Sequence, residues 1–213
     1  TWPERQRLAR ELFRQGLDAM TSGNHIWDNR EALPLLDAER RLVRPANYPP
    51  AAPGIGSTVI EKKGLKLGIL NLQGRVFMQP IDCPFRRADE ELLLLKGSPV
   101  LVDIHAEATS EKRALALYLD GRVSAVLGTH THVQTADEGI LEGGTAYISD
   151  VGMTGGHGGV IGMDKEAIIY RFLTGMPTRF EVCKGDLRMD AVAIDIDDAS
   201  GRSLSITRLS MEL

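Results

Sequence analysis

The sequence lacks any apolar run near the roughly 18 residues of a membrane-spanning helix. No stretch of its 213 residues reads as a signal peptide. Cysteine is scarce: Cys83 and Cys183 are the only two, far apart and in no CxxC pair. That excludes a disulfide-dense scaffold and a thiolate zinc site, and both thiols read as reduced packing residues of a cytoplasmic protein. Excess basic charge is missing too. With 25 Lys and Arg against 29 Asp and Glu the net charge is −4, so no global field invites nucleic acid or an anionic membrane. An anionic substrate would need local positive charge, from metals or a few arginines. There is no internal repeat, no linker and no initiating methionine.

What remains is an ordinary core-forming composition, enough for one domain over 1–213. Residues 4–16 predict a helix, with Leu8, Leu12 and Phe13 on one stripe and Gly16 as its stop. Residues 18–21 read as a short strand, and a helix is expected to start near Asp28. Segment 45–56 is a Pro/Gly loop. Strands are expected at 57–61, 65–72, 100–105, 123–127 and 145–149, and helices at 88–96, from Thr109 or Ser110 to Leu119, and from Asp164 to Leu173. The tail, 180–183, 189–196 and 203–209, alternates like antiparallel strands. This order implies an α/β sandwich, two sheets flanked by helices.

Three segments set polar ligand types just after a buried strand, where open α/β sheets bind ligands. They are Gly23-Asn24-His25, Asp103-Ile104-His105-Ala106-Glu107 and Gly128-Thr129-His130-Thr131-His132. If the strand continues through His130 and His132, residues two apart share one face and their imidazoles one pocket. Each motif alone is weak; together they gather four of the five histidines and point to a metal centre. Imidazole plus amide oxygen, without thiolate, suits a catalytic first-row site. Two metals about 3.5–4 Å apart would clamp a phosphate diester.

These segments, in this order, resemble the calcineurin-like metallophosphoesterases, in particular the YmdB-type branch, whose members hydrolyse cyclic nucleotides and related phosphodiesters. Gly23-Asn24-His25 resembles the superfamily's GNH motif, and GTHTHV at 128–133 its GHxH motif. DIHAEATSEK at 103–112 and NLQGRVFM at 71–78 are close to branch hallmarks. VRPANYPP at 43–50 and GGTAYISDVGMTG at 143–155 agree, so the resemblance covers nearly the whole chain. It implies a metallophosphoesterase-like sandwich of two mixed β-sheets flanked by helices. It implies a dinuclear-metal phosphodiesterase using two divalent ions (iron, manganese or zinc), with hydroxide between the metals attacking phosphorus. Asn24, His105 and His130 would bind one metal and His132 the other. His25 would be the catalytic acid.

The family pattern opens with two further strands carrying an aspartate and a bridging acidic residue that this sequence does not contain. The resemblance therefore implies a segment before Thr1, a sheet lacking its first strands, and impaired activity in the chain as it stands. The alternative is a catalytically inactive nucleotide- or partner-binding module of the same fold. The expected partner is a small phosphodiester or nucleotide; RNA as substrate and a homo-oligomer stay open. Arg75 is a weaker candidate for substrate phosphate and Glu107 for orienting a ligand. Asp103 is expected to orient a ligand and Asp150 to bond a loop. The glycine-rich loop at 152–162 lacks the lysine and hydroxyl of a P-loop, so its glycines read as turns. His157 there is expected to be exposed, where it could brush substrate.

Overall fold

The computed structural model describes residues 2–28, 30 and 33–213, with side chains from Arg7 onward. Among the described residues nine strands form two sheets, one of six strands in the order β1-β2-β3-β4-β6-β5 and one of three in the order β7-β8-β9.

β1 (Ser57–Lys62) and β2 (Leu65–Gln73) form an antiparallel hairpin. Its two-residue turn holds Lys63 and Gly64 at positive φ (54° and 80°), the twist a tight hairpin requires. β2, β3 (Val100–His105), β4 (Ala125–Thr129) and β6 (Ala146–Ile148) then run parallel, so their C-terminal ends lie on one edge. β5 (Gly139–Ile140) closes the far side antiparallel to β6. The second sheet, β7 (Thr154–Gly156), β8 (Leu187–Ile196) and β9 (Ser203–Glu212), is wholly antiparallel, not mixed as expected.

Strand periodicity divides the core in two. Leu70, Leu72, Val102, Ile104, Val126 and Tyr147 face Ala88 of α3 (Pro84–Leu94) and Leu115, Ala116 and Leu119 of α4 (Thr109–Leu119). Their neighbours Ala125, Leu127, Ala146 and Ile148 face Val192, Ile194 and Ile206 of the second sheet. Successive side chains of β4 and β6 thus serve opposite layers, as the two-residue repeat of a strand demands.

Several sequence expectations shift. The helix expected at 88–96 begins at Pro84, where the missing N–H costs nothing. The strand at 18–21 reduces to a single bridge, Met20 to Leu42. The helix expected near Asp28 becomes a 3-10 turn at Asn24–Trp27 and a helix α2 (Leu33–Ala38), while residues 29, 31 and 32 lie outside those described. In α1 (Trp2–Arg14) the stripe that turns inward carries Ala9 and Phe13; Leu8 and Leu12, one position earlier, stay 60% and 42% exposed. Residues 180–183 form one bridge, Met163 to Val182, and no strand. α5 (Lys165–Thr174) starts as expected, the Asp164 carboxylate accepting from the Glu166 amide, but buries none of its residues. No helix among the described residues is long and apolar enough to cross a membrane.

Candidate metal centre

The parallel strand ends bring three distant motifs together. His105 is the last residue of β3, paired in register with Thr129, the last of β4. Asn24 comes from the turn at 24–27, held from β2: buried Asn71 accepts the Ser22 amide on its Oδ1 (3.2 Å). Asn24 Oδ1 then lies 2.8 Å from His105 Nε2, and His130 Nδ1 3.0 Å from the same nitrogen.

Gly23 makes that approach possible. Its φ of −143° is open to any residue, but an added Cβ would sit 2.3 Å from the His105 ring. The glycine of this motif is therefore required by the imidazole packed on it. At Gly128 an added Cβ would stand 1.7 Å from the Ser149 carbonyl oxygen, so only glycine lets the end of β6 lie against β4.

The hydrogen-bond network assigns the tautomers. Burial raises the Asp103 carboxyl to about 6, so at neutral pH it is a carboxylate and accepts from Thr129 Oγ1 (2.8 Å). That hydroxyl, its proton so used, accepts from His105 Nδ1–H (3.0 Å). His105 Nε2 therefore carries a lone pair. Burial first, then the charges of His130, Lys112 and His25, push His105 down to about 3, so the ring is neutral. His130 is lowered as well, chiefly by burial, with Glu107 opposing. Its Nε2–H meets Glu107 Oε2 at 3.1 Å, which leaves a lone pair on Nδ1.

On this assignment Asn24 Oδ1 and His130 Nδ1 each turn a lone pair toward the one on His105 Nε2, with no proton between them. A cation between them satisfies all three, and two imidazole nitrogens with an amide oxygen suit a divalent first-row metal. The third donor is the amide: among the described residues no three His, Cys, Asp or Glu side chains gather at one point.

His132 and His25 make no hydrogen bond to these three residues, though their charges act on His130. β4 stops at Thr129, and His130 and His132 take positive φ (103° and 64°). The expected alternation along a continuing strand therefore fails. His132 turns its Nδ1–H to the Ile161 carbonyl (3.0 Å), which frees Nε2. Each left-handed histidine stores strain of about 1–3 kcal/mol, as residues at ligand clamps do. Between them Thr131 is pinned, its amide (2.9 Å) and hydroxyl (2.7 Å) donating to Asp150 Oδ2. His25 is exposed and paired through Nδ1 with Asp28 (2.7 Å). Arg75 is exposed, its side chain against Cys83 Sγ (3.6 Å). The backbone amides of Arg75 and Val76 donate to the Glu111 carboxylate. His157, expected to be exposed, is largely covered and paired with Asp190.

Three supporting residues escaped the sequence reading: Asn71, Thr129 and Lys112. Lys112 is fully buried and paired with Asp150 (3.1 Å), itself 1% exposed. The available signal was polarity inside apolar runs: Asn71 interrupts Leu70 and Leu72, and Lys112 sits on the inward face of α4. The motif VRPANYPP is structural. Buried Arg44 donates to the carbonyls of Pro45, Ala52 and Pro53, and buried Asn47 ties the Gln73 carbonyl to that of Asp82.

Two stacked sheets with helices outside, and histidines at parallel strand ends with an asparagine turned toward them, define a metallophosphoesterase-like fold. Comparison with known proteins narrows this. The family model described as YmdB-like protein matches residues 5–209, and the chain belongs to that family. A Bacillus subtilis relative, named 2',3'-cyclic-nucleotide 2'-phosphodiesterase, is 50% identical over 206 residues, covering 96% of this chain and 78% of its own. A crystal structure of a hypothetical protein from Thermus thermophilus superposes with a TM-score of 0.91 at 47% identity, covering 97% of this chain and 81% of that one. A structure called a novel phosphatase from Mycoplasma pneumoniae gives a TM-score of 0.90 at 35% identity, covering 97% and 76%.

Proposed function

We propose that this protein is a metal-dependent phosphodiesterase acting on cyclic nucleotides or related small phosphodiesters. The observation that carries the reading is the convergence of Asn24 Oδ1 and His130 Nδ1 on His105 Nε2, at 2.8 and 3.0 Å. These residues would hold one divalent ion, and His132 Nε2 would contribute to a second. Iron, manganese and zinc all fit the donors. A bound divalent ion supplies positive charge for the phosphoryl oxygens and acidifies water at neutral pH.

The chain's own groups do the rest. Thr129 and Asp103 fix the His105 tautomer, and Glu107 fixes that of His130. Asp28 orients His25, whose imidazolium would donate a proton to the leaving oxygen. The Bacillus relative's name supports 2',3'-cyclic nucleotides as the first substrates to test.

One observation favours the rival, a module that binds without turnover. Among the described residues no carboxylate joins the donor set directly; Glu107 reaches it only through His130. Turnover of bis-p-nitrophenyl phosphate and 2',3'-cyclic AMP by the full chain, with manganese, iron or zinc added in turn, decides between them. Turnover that EDTA and His130→Ala both abolish is the expected result. Tight metal binding with no turnover of either substrate assigns the binding module.

A further inference from the structure

A second cluster lies beside His132, outside the donor set. His132 and Ile161, joined by the bond from Nδ1 to the Ile161 carbonyl, form one wall of a cavity of about 360 Å3. That volume falls within the roughly 300–1,000 Å3 of small-molecule sites. Gln134, Met153, His157 and Asp190 complete the lining that matters here.

Two of these side chains are fixed by bonds that leave one surface each for a ligand. His157 Nδ1 faces the Gly155 carbonyl (3.1 Å) and its Nε2 faces Asp190 Oδ2 (3.1 Å). Both nitrogens are engaged, so ring carbons and the π-face are what remain. Asp190 is held in turn by the Ser210 hydroxyl (2.7 Å). Gln134 Nε2 donates to the carbonyls of Val151 (3.1 Å) and Ala191 (3.0 Å). Its Oε1 has no protein partner among the described residues and remains an acceptor.

The glycine-rich loop builds this arrangement. An added Cβ at Gly152 would lie 2.5 Å from Asp190, and at Gly159 2.0 Å from the Met163 carbonyl oxygen. The glycines let the loop press onto β8 and carry His157 to Asp190. The loop is a wall and not a phosphate cradle.

A rigid ring face, apolar Met153 and Ile161, and one fixed acceptor match a flat heteroaromatic ligand with a donor on its edge. We propose that this cavity is the nucleobase subsite, with His157 stacking on the base and Gln134 Oε1 accepting from an amino group. This rests on the phosphodiesterase reading above, since His132 joins the two sites.

Calorimetry of the full chain in manganese buffer tests it with adenosine 2'-monophosphate, inosine 2'-monophosphate and inorganic phosphate. The adenosine nucleotide is expected to bind about tenfold tighter than phosphate, the scale of one base-stacking contact. Inosine nucleotide, which lacks the amino group, is expected to bind more weakly than adenosine nucleotide. His157→Ala should erase most of the gain, His157→Phe should keep it, and phosphate affinity should not change in either variant. Should either variant fail to fold, the His157 ring-proton resonances of the wild-type chain decide. They are expected to shift with adenosine nucleotide and not with phosphate, and resonances indifferent to both overturn the subsite. Wild-type protein that binds nucleotide and phosphate equally overturns the subsite alone. Protein that binds none of the three overturns the phosphodiesterase reading as well.

Discussion

Replacing Thr129 with Val keeps shape and removes a single hydroxyl. That hydroxyl donates to Asp103 Oδ1 at 2.8 Å and accepts from His105 Nδ1–H at 3.0 Å. Without it the buried carboxylate loses one hydrogen bond and keeps those from the Thr21 side chain and, at 3.4 Å, Asn71 Nδ2. A hydrogen bond to a charged group contributes about 1.5–3 kcal/mol, and denaturant unfolding of the metal-free chain would read its loss directly. His105 also loses what holds its proton on Nδ1, so the tautomer with Nε2 protonated, unable to bind a cation, becomes accessible. Loss of such an orienting partner weakens metal affinity by roughly 10–100-fold, about 1.4–2.7 kcal/mol, the same scale as one hydrogen bond. Calorimetry with manganese on wild type, Thr129→Val and Thr129→Ser measures it, and serine should restore most of the affinity. A valine variant that binds manganese as tightly as wild type would refute both the tautomer assignment and the relay behind it.

Other perturbations follow from the same geometry. Gly23→Ala should abolish cation binding with little loss of stability, because the atoms nearest its Cβ are those of the His105 ring, a side chain; circular dichroism and metal titration separate the two. Lys112→Met leaves buried Asp150 without its ammonium partner and should cost about 3–5 kcal/mol in urea unfolding; a loss under about 1 kcal/mol contradicts it. The pH dependence has a definite sign. His105 falls to about 3 in the fold, mainly through burial, from an ordinary value of 6.5. Between those values the unfolded chain takes up a proton that the folded chain refuses. The stability contributed by neutral His105 should therefore be complete above pH 6.5 and fall steadily toward about pH 3, opposed below about pH 6 by Asp103, whose raised carboxyl takes up its proton first in the fold. Urea midpoints equally steep in wild type and His105→Gln over that range would count against it.

The strands and helices that place the site were legible because their signals are local. Six consecutive residues, Val100–His105, are apolar but for Asp103 and the terminal histidine. The Lys63-Gly64 turn and the Asp164 cap needed only neighbouring residues. Residue type at the strand ends marked Asn24, His105 and His130 as ligand chemistry. What sequence alone left open was where each side chain points. Asn24 and His105 are 81 positions apart and meet only because β3 runs parallel to β2, whose Asn71 holds Ser22. His132 turns to the Ile161 carbonyl where β4 ends and φ is positive. Of the stripe expected on α1, Phe13 turns inward while Leu8 and Leu12 stay exposed, since helical periodicity fixes spacing but not rotation. Which atoms carry protons was decided by Thr129, Asp103 and Glu107, partners that only sheet register brings within hydrogen-bond reach. Local pattern sets residue type and element; direction, tautomer and cavity depend on contacts between segments far apart in the chain, and those exist only once the sheets have formed.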